Sequence, residues 1–238
     1  MKILFVEGRY IGKIKIPKEL IENIPKKILL FTTVQYLDLI EGVKKQLEDN
    51  NKIVLNNKIN KLPHTKYKYQ ILGCSINKIN IEFDAFLYIG DGLFHPYALL
   101  IKNNKPCFVY NPKSQQYKVI NQKDIEKILK QQKAAFVKFI ESKNIGILIS
   151  TKPGQMIYKD KIKELEEKFK DKSFYYLIGD EISPNKLMDF NYIDVFVNTA
   201  CSRVALDHYS SFEKPIINID ILLEKININK YKDKNIKA

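Results

Sequence analysis

The sequence is poor in the residues that cross-link or anchor a protein chain. Three cysteines among 238 residues are too few for a disulfide framework of this size, and they favour core packing, metal binding or catalysis in a reducing compartment. No stretch approaches the roughly 20 apolar residues that span a bilayer. The opening residues, Met1 to Glu7, predict a β-strand rather than a secretion signal. We therefore expect a cytoplasmic protein without a membrane anchor.

Histidine is equally scarce, and this narrows the possible enzyme classes. Only His64, His95 and His208 are present, and no G-x-S-x-G motif supplies a serine nucleophile for a hydrolytic triad. The H-E-x-x-H and paired C-x-x-C patterns of zinc sites are absent as well. The sequence therefore gives no support to a serine hydrolase or to a zinc site of these kinds.

Positive charge is abundant, because the chain has 40 Lys and Arg residues and a net charge of +13. Such an excess raises the possibility of a polyanionic partner. The lysines are scattered among Asn and Ile, however, and no zinc-finger or aromatic-basic RNA-binding motif accompanies them. A basic α/β nucleic-acid-binding protein is therefore kept only as an alternative function.

Short apolar runs alternate with helical patterns along the chain. Leu37, Ile40, Val43 and Leu47 recur every three to four residues, as helices require. This alternation predicts an α/β protein with mainly parallel sheets flanked by helices. The runs that predict strands are 2–6, 28–34, 52–55, 68–72, 85–89, 107–110, 145–150, 174–178, 193–198 and 215–219.

A long helical pattern at 122–142 is followed directly by the new strand pattern at 145–150. We therefore expect two similar domains, 1–143 and 144–238, each with a small sheet. The last residues, 225–238, are rich in Lys and Asn, a composition that favours partial disorder.

Two cysteines lie where apolar runs end. Cys201 follows Phe196-Val197-Asn198-Thr199-Ala200, and Cys74 follows Ile71-Leu72-Gly73. α/β proteins bind ligands at the carboxyl ends of their strands, so both thiols are candidates for a shared site. The third thiol, Cys107, begins an aromatic-rich strand pattern and is interpreted as a core residue.

Three polar segments also follow strand patterns. Gly90-Asp91-Gly92, with His95, suits a loop that approaches a ligand closely, or an ordinary turn beside a half-buried histidine. Ser150 to Gln155 suits an anion site, or an ordinary capped turn. Arg203 could bind a carboxylate with Asp207 orienting it, or the two could form a structural ion pair.

In order along the chain, the segments 71–74, 89–96, 150–155 and 198–207 resemble the motifs of 2-(3-amino-3-carboxypropyl)histidine synthases, the archaeal diphthamide-synthesis enzymes. The segments 30–36 and 212–216 resemble that family too, so the similarity extends over most of residues 1–220. Four motifs in the correct order make the resemblance specific.

The resemblance implies a noncanonical radical enzyme that uses S-adenosylmethionine. The family has three similar α/β domains, and each supplies one cysteine to a central 4Fe-4S cluster. The cluster splits S-adenosylmethionine, and the 3-amino-3-carboxypropyl group is transferred to a histidine of translation elongation factor 2. By this resemblance Cys74 and Cys201 are cluster ligands, and the cofactor pocket comprises Gly90, Asp91, Gly92, His95, Thr151, Lys152, Gly154, Gln155, Arg203 and Asp207.

The sequence departs from the family in one large respect. What precedes Cys74 resembles only the opening of the family's middle domain, so the first domain and its Tyr-Gly-Ala-Cys motif are not found. We expect a separate polypeptide to supply the third thiolate; a dimer mate, Cys107 or a loss of the chemistry are alternatives. Ser202 also stands where the family usually has proline. A further alternative is an inactive accessory or substrate-binding subunit of the same pathway.

Overall fold

The computed structural model describes residues 4, 6–62, 64–153, 155, 159–207 and 209–235. The chain divides into two compact units, Met1–Glu126 and Lys127–Ala238. This division falls after the first residue of helix α4 (Glu126–Glu141), whereas the boundary predicted near residue 143 follows the helix. Each unit contains its own sheet between helices, which confirms the predicted α/β class.

The sheet of the first unit has the order β2-β1-β3-β4-β5. Its strands are parallel except β5, which returns antiparallel to β4 through a short turn. Within the described residues these strands are β1 (Lys27–Thr32), β2 (Ile53–Val54), β3 (Ala85–Ile89), β4 (Cys107–Asn111) and β5 (Gln116–Ile120), and the helices are α1 (Lys18–Asn23), α2 (Ile40–Glu48) and α3 (Phe94–Lys102).

Strand β3 is the centre of this sheet, and all five of its residues are buried. A continuous apolar run such as Ala85–Ile89 is typical of a parallel strand that is covered on both faces. In the register with β1, Thr32 lies beside Ile89, so the two strands end together. Their following loops therefore emerge side by side at one edge.

A side chain continues the pairing of β1 where β2 stops after two residues. The buried Asn56 accepts a hydrogen bond from the Leu30 amide at 2.8 Å and donates one to the Leu30 carbonyl at 2.7 Å. An amide side chain reproduces the donor and acceptor of a peptide group, so it satisfies backbone groups that a longer strand would otherwise pair. The loop that follows β2 is thereby fixed to β1.

The sheet of the second unit has the order β7-β6-β8-β9, and all its strands are parallel. No helix among the described residues is long and apolar enough to cross a membrane. The strands are β6 (Asn144–Ser150), β7 (Ser173–Gly179), β8 (Val195–Asn198) and β9 (Ile216–Asn218), and the helices after α4 are α5 (Lys159–Lys168), α6 (Pro184–Leu187), α7 (Arg203–Leu206) and α8 (Ile219–Asn235).

Three local expectations differ from the structure. The run 68–72 makes only an isolated bridge, from Gln70 to Thr32, and is not a strand. Tyr69 has a φ of 63°, which interrupts an extended strand at that point. The sequence patterns do not predict the polar strand β5. Partial disorder is expected for the tail 225–238, but α8 extends through most of it. The predicted strand 2–6 lies largely outside the described residues.

We predict that Asn56→Ala lowers the free energy of unfolding by about 2–4 kcal/mol, because it leaves the buried amide and carbonyl of Leu30 without partners. Urea denaturation monitored by circular dichroism measures this loss. Asn57→Ala, at the exposed neighbouring position, is the matched control and should change the stability by less than about 0.5 kcal/mol. Equal effects of the two substitutions would contradict the role of Asn56.

Candidate functional site

The segment that leads to Cys74 is held against the carboxyl end of β1. The Thr32 amide donates to the Tyr69 carbonyl at 2.8 Å, and the Ile71 amide donates to the Thr32 carbonyl at 2.9 Å. Thr32 is buried, and its hydroxyl donates to the Ile89 carbonyl at 2.7 Å. The half-buried Cys74 therefore follows a short segment that is hydrogen-bonded to the end of the sheet rather than a strand of its own.

Gly73 brings the Cys74 segment into close contact with the start of α3. A Cβ atom on Gly73 would lie 1.8 Å from the Cε1 and Cζ atoms of the Phe94 ring, far inside van der Waals contact. Glycine is therefore the residue that lets backbone and ring meet here. This contact joins the first candidate cysteine to the Gly-Asp-Gly loop, which precedes Phe94.

The residues after Cys74 are also fixed. The buried Ser75 donates its amide to the Leu72 carbonyl at 2.9 Å, and its hydroxyl accepts from the Leu72 amide at 3.2 Å. Asn103, at the end of α3, donates to the Asn77 carbonyl and accepts from the Ile79 amide. Hydrogen bonds thus anchor the chain on both sides of Cys74, and they define the position of its backbone.

The Gly-Asp-Gly loop emerges from β3 at the same edge. Gly92 has a φ of 71°, a backbone conformation that favours glycine, and a Cβ on Gly90 would lie 2.5 Å from the Tyr88 hydroxyl. The Asp91 carboxylate accepts hydrogen bonds through Oδ1 from the Gly92 amide at 2.8 Å and from Asn111 Nδ2 at 3.1 Å. An exposed carboxylate is therefore held in one orientation by two donors.

His95 lies in the first turn of α3, not in the loop that the sequence predicted. The helix begins at Phe94, and Pro96 is compatible with this position because the first turn needs no amide donor there. The half-buried imidazole of His95 packs 5.2 Å from the Phe94 ring and 6.3 Å from the Tyr88 ring, measured between centroids. The aromatic neighbours set the position of His95 beside the loop.

Cys201 follows β8 and is held by two buried amide side chains. Asn198 donates from Nδ2 to the Cys201 carbonyl at 3.0 Å and to Asn218 Oδ1 at 2.6 Å, and its Oδ1 accepts from the Ala200 amide at 3.2 Å. Asn218 donates to the Ser202 carbonyl at 3.1 Å. Because Asn198 and Asn218 face each other in the β8–β9 register, adjacent strand ends cooperate to shape the loop around the half-buried thiol.

Arg203 and Asp207 form an ion pair on the short helix α7. The Arg203 Nε atom lies 2.8 Å from Asp207 Oδ2, one helical turn further along the chain. The Arg203 side chain is 54% exposed and that of Asp207 is 24% exposed. The carboxylate contacts one edge of the guanidinium, which orients a planar donor group close in sequence to Cys201.

The segment after β6 begins with a turn that is held by hydrogen bonds of its backbone amides. The Thr151 amide donates to the Gly179 carbonyl at 2.9 Å, and the Lys152 amide donates to the hydroxyl of the buried Ser150 at 3.2 Å. The side chains of Thr151 and Lys152 are exposed, whereas Gln155 is half-buried. The predicted Gly154 lies outside the described residues.

Cys107 differs from the other two thiols in its surroundings. It is completely buried at the start of β4, and burial raises the pKa of its thiol far above the usual range. Metal ligation requires the thiolate, so this environment disfavours Cys107 as a ligand. Within the described ranges, no group of three or more His, Cys, Asp or Glu residues is placed to hold a metal ion.

Sequence reasoning missed the amide and hydroxyl side chains that organise these loops. The sequence does contain a pattern that could have identified them, since a small polar residue occupies the last position of several largely apolar strands. Such a residue needs hydrogen-bond partners when it is buried. These strand-ending residues are Thr32, Asn111, Ser150, Asn198 and Asn218.

The family model and the curated relatives that match this chain agree on one family. Residues 1–230 match the family described as "Putative diphthamide synthesis protein". The 2-(3-amino-3-carboxypropyl)histidine synthase of Methanocaldococcus jannaschii is 33% identical over 196 residues, covering 80% of this chain and 49% of the relative. Subunit 1 of the human synthase is 27% identical over 197 residues, covering 80% of this chain and 42% of the relative. The chain therefore spans about half the length of these curated relatives.

The fold also matches a solved structure. A crystal structure of Dph2 from Pyrococcus horikoshii with a 4Fe-4S cluster aligns with a TM-score of 0.71 at 23% identity, covering 86% of this chain and 58% of that one. At this identity the match shows a shared fold.

We predict that Gly73→Ala destabilises the first unit by about 1–3 kcal/mol, because the new methyl group must displace the Phe94 ring. Phe94→Leu should relieve that clash. In a double-mutant cycle the unfolding free energies should therefore show a favourable coupling of about 1 kcal/mol or more. Strict additivity of the two substitutions would show that the contact is not the source of the cost.

We also predict that two of the three thiols react with a small thiol reagent in the folded protein. Cys107 should react only after denaturation, because it is inaccessible and its raised pKa leaves little thiolate at pH 8. Mass spectrometry of alkylated peptides identifies the modified positions. Rapid labelling of Cys107 under native conditions would contradict its placement in the core.

Proposed function

The chain belongs to the family of diphthamide synthesis proteins, and on that premise we propose that it is a component of the enzyme that makes the first diphthamide intermediate. In this reaction a 3-amino-3-carboxypropyl group passes from S-adenosylmethionine to a histidine of translation elongation factor 2. The observation that chiefly supports the proposal is the pair of half-buried thiols, Cys74 and Cys201, each held in a hydrogen-bonded loop beyond a sheet edge.

The thiol set of this chain fits two ligands of a 4Fe-4S cluster. Cys74 and Cys201 are half-buried in hydrogen-bonded loops, while Cys107 is completely buried in the core. Such clusters are held by cysteine thiolates, and three are needed when one iron stays open to a substrate. We propose that the third thiolate comes from outside these 238 residues, through a separate first-domain polypeptide or a dimer mate.

Cys74 and Cys201 would hold such a cluster together with the external thiolate, and the cluster would supply the electron for cleavage of the Cγ–S bond of the methionine moiety. The protein's own residues bind and orient the reactants. We propose that the Arg203 guanidinium, oriented by Asp207, binds the carboxylate of S-adenosylmethionine. The planar donors of a guanidinium match the two oxygens of a carboxylate. Thr151, Lys152, Gly154 and Gln155 are proposed to line the same pocket.

We also assign cofactor binding to the Gly-Asp-Gly loop and His95 of the first unit. Gly90 and Gly92 permit close backbone approach, and Asp91 presents a carboxylate fixed by its neighbours. The contact of Phe94 with Gly73 connects this loop to the Cys74 segment. Cofactor binding and cluster ligation in the first unit would therefore share one support.

An accessory subunit without a working cluster is the second candidate. It is favoured by one observation, namely that the described part of this chain offers two accessible thiols rather than three. A nucleic-acid-binding role, in contrast, rests on net charge alone. Salt-dependent binding that is independent of both cysteines would identify such a role.

We predict that anaerobic reconstitution with iron and sulfide, in the presence of a polypeptide that supplies a first-domain cysteine, gives broad charge-transfer absorption. Cys74→Ala and Cys201→Ala should each abolish it, because a cluster with two remaining thiolates is poorly held. Cys107→Ala is the matched control and should retain the absorption. Transfer of the radiolabelled aminocarboxypropyl group to elongation factor 2 should follow the same pattern.

Two other outcomes would contradict this prediction. If the complex transfers the group equally well after Cys74→Ala and Cys201→Ala, these residues are not ligands and the proposed catalytic role fails. If the complex is active only through a cluster held entirely by the partner, the chain is an accessory subunit.

A further inference from the structure

A cavity of about 490 Å³ lies at the carboxyl ends of β1 and β2. One of its walls is formed by the loop after β2 and includes Asn57, Asn60 and Lys61, and the other is formed by residues 67–70. Its volume is in the range of small-molecule sites, and ligands of open α/β sheets bind beyond the carboxyl ends of the strands. As far as the structure describes the chain, two lysines and no carboxylate line this cavity.

The two lysines connect the walls of the cavity. Lys61 Nζ donates to the Lys66 carbonyl at 2.8 Å, next to the opposite wall. Lys68 Nζ reaches in the other direction, donates to Asn57 Oδ1 and lies 4.9 Å from the centroid of the Tyr69 ring. An ammonium group has three N–H donors, and each of these two uses one of them on a neutral oxygen. Both charges are therefore held at the cavity with donors left for a ligand.

The cations beside the cavity have partners of opposite charge. Glu7 accepts from Arg9 at 2.5 Å and from Lys66 at 3.1 Å. Hydrogen bonds from the Tyr67 hydroxyl and from Arg9 lower the pKa of Glu7 to about 2, so this carboxylate is ionised at neutral pH. Within the described residues, in contrast, no carboxylate forms an ion pair with either lysine of the cavity.

We propose that this cavity binds a phosphorylated small molecule, whose phosphate oxygens accept hydrogen bonds from the ammonium groups of Lys61 and Lys68. The exposed amide side chains of Asn57 and Asn60 supply further N–H donors on the same wall as Lys61. This site is independent of the proposed function, because it requires neither the cluster nor its cysteines.

The chemistry of the cavity favours a phosphate group over the cofactor of the proposed reaction. Two positive charges in a recess without an opposing carboxylate attract anions, and phosphate oxygens form strong hydrogen bonds with ammonium groups. S-adenosylmethionine carries a positive sulfonium and no phosphate, so these lysines would repel it. Ile59 and Leu62 add apolar surface to the lining, which suits the organic part of a phosphate ester such as a nucleoside diphosphate.

The test is isothermal titration calorimetry of the complete chain, without iron, at constant ionic strength. The probes are pyrophosphate, ADP and adenosine. Pyrophosphate and ADP should each bind at one site per chain and at least tenfold more tightly than adenosine, because only they carry phosphate groups. Tighter binding of ADP than of pyrophosphate would identify a phosphate ester as the ligand, and equal binding would identify the phosphate groups as the whole determinant.

Substitutions of the lysines separate a defined site from the general positive charge of the chain. Lys61→Gln and Lys68→Gln should each raise the dissociation constant of pyrophosphate about fivefold or more, since a charged donor is lost. Lys58→Gln is the matched control, because this exposed lysine of the same loop does not line the cavity; it should change the constant less than about twofold. Lys61→Arg and Lys68→Arg retain the charge and should retain binding within about threefold. Circular dichroism checks that each variant is folded.

Three outcomes would overturn the proposal: no binding of pyrophosphate, equal binding of ADP and adenosine, or equal weakening by Lys58→Gln and Lys61→Gln. The last of these would show diffuse attraction to a basic surface. A chain that binds pyrophosphate through these lysines but gives neither cluster nor transfer refutes only the proposed function. A chain that is active with its partner but does not bind pyrophosphate refutes only the phosphate site.

Discussion

The candidate residues depend on one recurring interaction, the hydrogen bonding of strand-ending polar side chains to neighbouring strand ends and to the loops that follow the sheets. Thr32 ends β1 and bonds to the carbonyl of Ile89, while Asn198 ends β8 and holds the Cys201 loop. Asn111 plays the same part at the end of β4. Loops at a sheet edge are otherwise the least constrained parts of an α/β fold. These side chains give the candidate residues defined positions.

Burying these polar side chains destabilises the fold unless each of them has hydrogen-bond partners. Burying an amide without partners costs about 1–3 kcal/mol, whereas a satisfied network specifies a single conformation. Asn198 and Asn218 meet this requirement, because they bond to each other and to the backbone on both sides of Cys201. The same physical logic separates the thiols. Placement in loops leaves Cys74 and Cys201 half-buried, whereas Cys107 is completely buried in the core.

Much of the fold was predictable because its core strands are continuous apolar runs. The runs at 85–89, 107–110 and 145–150 correspond to β3, β4 and β6, and the helical periodicity around Val43 corresponds to α2. The exceptions have physical reasons. Residues 68–72 are apolar but turn at Tyr69, and β5 is an edge strand whose residues are largely exposed, so no apolar run marks it. His95 was expected in the loop that follows β3, but it lies in the first turn of α3, where Pro96 is tolerated because that turn needs no amide donor there.

By itself, the sequence determined the α/β class, the family and the identity of the candidate cysteines, because apolar periodicity and ordered motifs are local properties of the chain. Only the tertiary structure decided which neighbours support them. Gly73 meets Phe94, and Asp91 meets Asn111, across about twenty residues of intervening chain that contain a strand or a helix. Such contacts depend on strand order and register, which bring distant segments to one sheet edge and which no local pattern encodes.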